Sequence, residues 1–442
     1  MQIELLDAVG EAYRQLGVYD RAEALFARSL QIARTETSQP LLLARALRSR
    51  GRVRSDRGDY AAAETDLRDA LGRYRTALGK DHEDIAATLG DLAQLRDLRG
   101  EFAGSEALYR EALAMHRTLH GERDMRVADT LGDLGMILRR QGDYAGAEPL
   151  LSQSLSLRRQ LLPAQHPEIA YVMTDLAQVR NDLGEYDSAE ALYREALASM
   201  QASLGDDHPN VGLTMITLAR VLKTRRDFDG ARDLLLRALA IRRKALGERH
   251  PSIALALNDI GQTYLEASDS DAPGGPASAD LAQAERYYRE ALDIYPADNS
   301  GRWMVVYNLG QVAEKRGDLI GAERQYREAL VGQRKHYGDE HDRVAMQLNR
   351  LGIVLYRQQR LDEAETAMLQ ALAIYRKRLA AGHQRFAVVL VPLGRLLIER
   401  GRAEEAEPLL REALKVRQDA FGDNDPRTAE AAQALADAKR RG

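Results

Sequence analysis

The 442-residue sequence predicts an all-α protein built as a solenoid of stacked helical repeats, and three observations carry that expectation. Glycine recurs at Gly17, Gly58, Gly100, Gly142 and Gly184, at steps of 41 and then 42 residues, and returns at Gly317 and Gly401. Around it a pattern repeats, with an aromatic residue two positions on and Ala-Glu five and six on. It reads Gly58/Tyr60/Ala63/Glu64 and Gly142/Tyr144/Ala147/Glu148, with Gly100/Phe102/Ser105/Glu106 as a close variant. Between the glycines, apolar residues fall three, four and seven apart, the spacing of one helix face. A fixed period in this range marks a stacked-repeat architecture.

Taken in order, the chain opens with the stripe Leu5, Leu6, Val9, Ala12 and Tyr13, which ends at Gly17. No polar capping helix precedes it, although solenoid ends normally carry one. The start is therefore expected to be that of a fragment or a late start. The uncapped N-terminal end is expected to serve self-association. The unit from His166 to His208 shows the regular repeat. Ile169, Met173, Leu176, Ala177 and Leu183 form the stripe of a first helix, and Gly184 supplies a left-handed turn. Tyr186, Ala189, Leu192, Tyr193, Ala196 and Leu197 form the stripe of the second. Tyr60, Tyr109, Tyr144, Tyr287, Tyr288 and Tyr326 read as core in the same way.

Arg226 and Gln359 occupy two of the turn-glycine positions. A non-glycine residue there either bears a cost of about 1 kcal/mol in the left-handed region or closes the turn differently. In the seventh repeat, Ser268 to Ala279 lacks apolar periodicity. It lengthens the interval from position 226 to 279 to 53 residues, an insertion of 11, and is expected to be a solvated loop. The next interval, 279 to 317, is 38, four short. Trp303 follows and is expected to pack the altered junction. Pro426 to Arg440 reads as a C-terminal capping helix, which leaves a single array over 1–442 of about ten helical pairs plus that cap.

The unit L-G-x-x-H-P-x-I-A, then L-x-D-L-A, then G-x-Y-x-x-A-E-x-L-Y-R-E-A-L, resembles the 42-residue tetratricopeptide repeat (TPR) of the kinesin light chain type. The resemblance runs from Leu5 to about Ala438. It implies a right-handed superhelix whose first helices line a concave groove that binds peptides of partner proteins. The run L-L-D-A-V-G-E-A-Y-R-Q-L-G-V-Y-D-R-A-E is similar to the first repeat after the kinase domain in large bacterial serine/threonine kinases. By that second likeness the array would be the sensory or docking arm of a larger signalling protein. No kinase motif is present in this sequence.

Composition narrows the function. A net charge of -4 with 29% charged residues of both signs gives no basic field for nucleic acid. No apolar run reaches the ~20 residues that span a membrane, and no signal-peptide pattern opens the chain, so a cytoplasmic protein is expected. With no cysteine there are no disulfides, thiolate sites or cysteine nucleophiles. His82, His166, His208, His250, His341 and His383 share one repeat position, which Asp124 and Asp425 also take. Proline often follows, so these residues read as N-caps rather than metal ligands. No nucleophile elbow, HExxH or phosphate loop appears. The expected molecule is a scaffold rather than an enzyme, without cofactor or metal.

One position varies informatively between repeats. It reads Asp91, Asp133, Asp175, Thr217, Asp259, Asn308, Arg350 and Pro392, with Asn258 and Asn349 one residue before it in two repeats. The resemblance implies that this position faces the groove, where asparagine commonly holds extended peptide backbone. Asp91, Asp133 and Asp175 in the N-terminal half, against Arg220, Arg350 and Arg395 in the C-terminal half, would give that groove a polarity. Two readings stay open: a groove for a segment of matching charge, or aspartates that pair with neighbours such as Arg139, Arg140 and Arg180 and fix stacking.

Overall fold

The computed structural model describes residues 2–35, 40–269, 277–379 and 382–442, and it is an all-α TPR-type solenoid with 21 helices and no strand among them. The chain divides into two compact units, Met1–Val221 and Leu222–Gly442. The first holds α1 (Gln2–Gln15), α2 (Tyr19–Thr35), α3 (Pro40–Arg57), α4 (Tyr60–Leu78), α5 (Glu83–Leu98) and α6 (Phe102–His120). It continues with α7 (Met125–Gln141), α8 (Tyr144–Leu161), α9 (Pro167–Asp182), α10 (Tyr186–Leu204) and most of α11 (Pro209–Thr224). The second holds α12 (Phe228–Leu246), α13 (Pro251–Ala267), α14 (Ala277–Ile294), α15 (Ser300–Lys315) and α16 (Leu319–Tyr337). There follow α17 (Asp342–Arg357), α18 (Leu361–Arg378), α19 (Arg385–Glu399), α20 (Ala403–Phe421) and α21 (Pro426–Arg441), the last packed on α20 and α19.

Each helix begins and ends where local chemistry dictates. All six repeat-position histidines accept from the backbone N–H two residues on through Nδ1, at 3.1–3.3 Å. Asp124 and Asp425 do the same through a carboxylate oxygen. Second helices open on Asp59, Asp143, Asp227 and Asp318, which accept from the N–H three residues on. Within each pair whose turn lies among the described residues, that turn passes through a left-handed residue: φ is 83° at Gly184, 65° at Arg226 and 63° at Gln359. The two non-glycine residues thus adopt the strained conformation rather than another turn.

Within a pair, the helices meet where a small residue on the first faces a large one on the second. A Cβ placed on Gly10, Gly51, Gly135, Gly261, Gly310, Gly352 or Gly394 would lie only 2.5–2.8 Å from Phe26, Leu67, Leu151, Tyr288, Tyr326, Met368 or Leu410 respectively. Glycine is what lets these helices approach so closely. Successive pairs then stack with first helices in contact, α1 on α3, α3 on α5 and α7 on α9 in one unit, α13 on α15 and α17 on α19 in the other. Among the described residues successive second helices approach less closely and meet through long side chains, as in the Arg75–Glu111 pair. The first helices therefore form the tighter, inner side of each stack.

Several expectations need correcting. The buried face of α1 is Ile3, Asp7 and Gly10, while Leu5 and Val9 are exposed. Gly10 is held under the Phe26 ring, and Asp7 accepts from Ser29 Oγ at 2.8 Å and pairs with Arg45 at 3.2 Å. These contacts rotate the helix away from its most apolar stripe. Tyr109, Tyr193, Tyr287, Tyr288 and Tyr326 are core, whereas Tyr60 and Tyr144 are half-buried and Tyr186 is exposed. These three sit in the first turn of their helices, over the interhelix turn rather than the packed seam. Leu183 is also exposed, because it caps α9 instead of continuing its stripe. α14 begins at Ala277, so 277–279 are helical rather than loop, as suits an Ala-rich run with Asp280 in the first turn. The rest of that expected loop, 270–276, lies outside the described residues. Trp303 packs within its own helix pair, its ring lying over Gly332 of α16.

Candidate functional site

The inner face of the first unit is built from α3, α5, α7 and α9, each turned so that its small residue faces its partner helix. That register leaves the residue before the buried leucine (Asp91, Asp133, Asp175) on the opposite, inner side. Asp91 is engaged there. It accepts from Arg48 Nε at 2.5 Å and lies 3.6 Å from Arg52, both on the preceding first helix. It ties α5 to α3.

Asp133 and Asp175 are different. The arginines that might neutralise them bond elsewhere: Arg139 to Asp182 at 2.7 Å, Arg140 to Asp97, and Arg180 to Glu148 and Ser188. Neither carboxylate has a hydrogen bond or ion pair among the described residues. Surrounding protein displaces water from both, and this is the main cause of their raised pKa values. Asp133 is pushed up to about 7, with its neighbour Asp129 adding like charge. Asp175 is pushed up to about 6, with Arg139 and Arg158 opposing the rise. Asp133 as a residue is exposed to solvent, which weakens its desolvation relative to that of half-buried Asp175. Asp129 itself accepts from Arg158, a buried residue of α8, at 2.6 Å. The result is an acidic inner wall in which two carboxylates have no ion-pair partner of their own among the described residues.

In the second unit the expected site residues are mostly occupied by the fold. Asn308 Nδ2 donates to Asn258 Oδ1 at 2.9 Å, and both residues are buried. Asn349 Nδ2 donates to the carbonyl of Val388 at 3.3 Å. Val388 lies four residues before Pro392, which has no N–H to offer it, so Asn349 fills a gap that proline opens in α19. Arg350 hydrogen-bonds Tyr307, and Arg395 pairs with Glu430 of α21 at 3.0 Å. Asp259 is half-buried on α13, and Arg220, in the first unit, is exposed on α11. Asn258, Asn308 and Asn349 each use an amide group within the fold. Their amides complete bonds between first helices.

The sequence reading missed Arg48, Arg52, Asp129 and Arg158, which decide which acids are paired. A comparison of charged residues one repeat apart on successive first helices would have found Arg48 and Asp91. Among the described residues no helix is long and apolar enough to cross a membrane.

A family model described as tetratricopeptide repeat matches residues 2–76, 42–118, 126–202, 168–244 and 221–272. A second, described as a MalT-like TPR region, matches 277–440. No curated protein matches. Among solved structures, the nearly identical TPR-like repeats described under a kinesin light chain name from Podosopora anserina share 19% identity, at TM-score 0.42, over 47% of this chain and 96% of theirs. BtubC (BKLC) from P. vanneervenii shares 22%, at TM-score 0.33, over 63% and 93%. A tetratricopeptide repeat protein from Parabacteroides merdae shares 14%, at TM-score 0.48, over 71% and 98%.

Proposed function

The chain belongs to the tetratricopeptide repeat family, and from that premise we propose that it is a non-enzymatic scaffold that holds a cation-bearing segment of another protein against the inner face of its first unit. One observation carries the reading. Asp133 and Asp175 make no ion pair of their own among the described residues, while the arginines near them, Arg139, Arg140, Arg158 and Arg180, each bond another acid. An ionised carboxylate only accepts, so its fitting partners are lysine, arginine or N–H donors. A partner's lysine or arginine would restore the stabilisation these carboxylates lose to desolvation. Affinity would come from many modest contacts on a face that stacking has already ordered.

The test compares Asp133→Asn/Asp175→Asn with Asp91→Asn, using labelled extended peptides rich in Lys and Arg or in Asp and Glu, followed by anisotropy. The double variant is expected to lose about tenfold or more in affinity for the basic peptide, about 1.4 kcal/mol, with an unchanged or raised Tm. Asp91→Asn is expected to lower Tm, because it frees Arg48. A double variant that binds as tightly as the parent but melts lower would assign these acids to stacking alone.

A further inference from the structure

We propose that Glu83, His116 and His120 form a binding site for a divalent transition metal, with Zn²⁺ the ion their donor set fits. His116 and His120 stand four residues apart on α6, so both rings project from one face, with centroids 6.1 Å apart. Glu83, the first residue of α5, reaches across to them. Its Oε2 lies 2.6 Å from His120 Nε2 and 3.7 Å from His116 Nδ1. One ligand atom from each residue falls within 4.8 Å of the others, the only such grouping among the described residues. A zinc ion about 2.0–2.1 Å from each donor needs them about 3.4 Å apart in a tetrahedron. Small side-chain rotations close that gap, and the metal replaces the His120–Glu83 hydrogen bond.

Two further observations point to a ligand. His116 is 6% exposed, yet its Nδ1 has no hydrogen-bond partner and is aimed toward the carboxylate. With the imidazole proton on Nε2, that buried nitrogen offers a lone pair to a metal. The other observation comes from comparing the repeats. The position of His120 is leucine in Leu78, Leu162, Leu204, Leu246 and Leu379, and the position of Glu83 is proline in Pro167, Pro209, Pro251 and Pro426. His116 stands where other repeats have Tyr74, Arg158 or Met200. His120 thus stands where other repeats carry an apolar or aromatic residue, and it touches Glu83 within one helix pair. Stacking alone does not need that contact.

Arg126 Nε lies 3.0 Å from the other oxygen of Glu83, Oε1. It leaves Oε2 for the metal and orients the carboxylate from outside, as outer partners of metal ligands do. Three protein ligands leave the fourth position to water. The bound ion would clamp the start of α5 to the end of α6. This site is separate from the acidic face and stands or falls independently of it.

Isothermal titration of the metal-free full chain with Zn²⁺, repeated with Co²⁺ for its visible absorption, tests the assignment. Wild type and His336→Gln, which alters a histidine outside the trio, are expected to bind one equivalent with a tetrahedral Co²⁺ spectrum. His120→Gln and Glu83→Gln are expected to lose at least about 100-fold in affinity, more than removal of an outer partner costs. Both positions are partly exposed, so these variants should fold even if His116→Ala does not, and circular dichroism confirms that. No binding by wild type, or equal binding by His120→Gln and Glu83→Gln, would overturn the proposal.

Discussion

At the scale of single residues, the structure separates side chains that a repeat alignment treats alike. Gln359 is exposed, holds φ at 63° and makes no side-chain hydrogen bond among the described residues. Gln359→Gly is therefore expected to raise stability by about 1 kcal/mol in chemical denaturation. Arg226→Gly should gain less, since Arg226 lies over the Phe228 ring at 5.8 Å. Asn349 gives a sharper case. Asn349→Ala is expected to cost about 1 kcal/mol, and that cost should shrink in a Pro392→Ala background, where the restored N–H can bond Val388. Equal costs in both backgrounds would disprove the link. The inner-face acids make a pH prediction. Asp133 and Asp175 have folded-state pKa values raised from the ordinary 3.8, so the folded state binds protons more tightly than the unfolded one. Their contribution lowers stability as pH rises from about 4 to about 7 and is constant above. Asp133→Asn/Asp175→Asn should accordingly raise Tm over wild type more at neutral pH than in mild acid.

At the scale of helices, the decisive feature is the small residue under each second-helix side chain. A Cβ on Gly394 would stand 2.5 Å from Leu410 Cγ. Gly394→Ala gains up to about 1 kcal/mol in helix propensity but costs about 1–3 kcal/mol by overpacking, so net destabilisation is expected. Gly72 on α4 has open space around it, and Gly72→Ala should stabilise by about 0.5–1 kcal/mol. Helices, caps and turns were legible in the sequence because each rests on local chemistry: histidine or aspartate before the helix, glycine after it, apolar residues between. The rotation of α1 was not legible. Leu5 and Val9 outweigh Asp7 and Gly10 in hydrophobicity, yet the fit of Gly10 to Phe26 and of Asp7 to Ser29 decides which face turns inward. The same limit applied to the candidate site. Asp91, Asp133 and Asp175 look identical in sequence, and only the side chains reaching them from neighbouring helices make one a strut and leave two unpaired. His116 and His120 lie outside the capping position where histidine recurs, so the repeat pattern gives them no role. The signal lay in histidine at position 120, where other repeats carry leucine, Tyr337 or Phe421.

At the scale of the molecule, the repeats share a division of labour. Rows of ion pairs run between successive pairs, such as Arg75–Glu111, Arg159–Glu195, Arg327–Glu363 and Arg376–Glu412. Exposed pairs of this kind contribute about 0–1 kcal/mol each, so they set register more than stability. The apolar seams within each pair hold the fold, which frees the inner face to carry charge that does not serve folding. The central claim is that Asp133 and Asp175 are kept for a cationic partner. Calorimetric titration of the chain with a Lys/Arg-rich extended peptide, run in two buffers of different ionisation enthalpy at a pH between about 6 and about 7, tests it most directly. Binding is expected to release protons, since a partner's cation draws both carboxyls to their ionised form, and Asp133→Asn/Asp175→Asn should abolish the release. Binding without proton release, or release unchanged in that variant, would contradict the account.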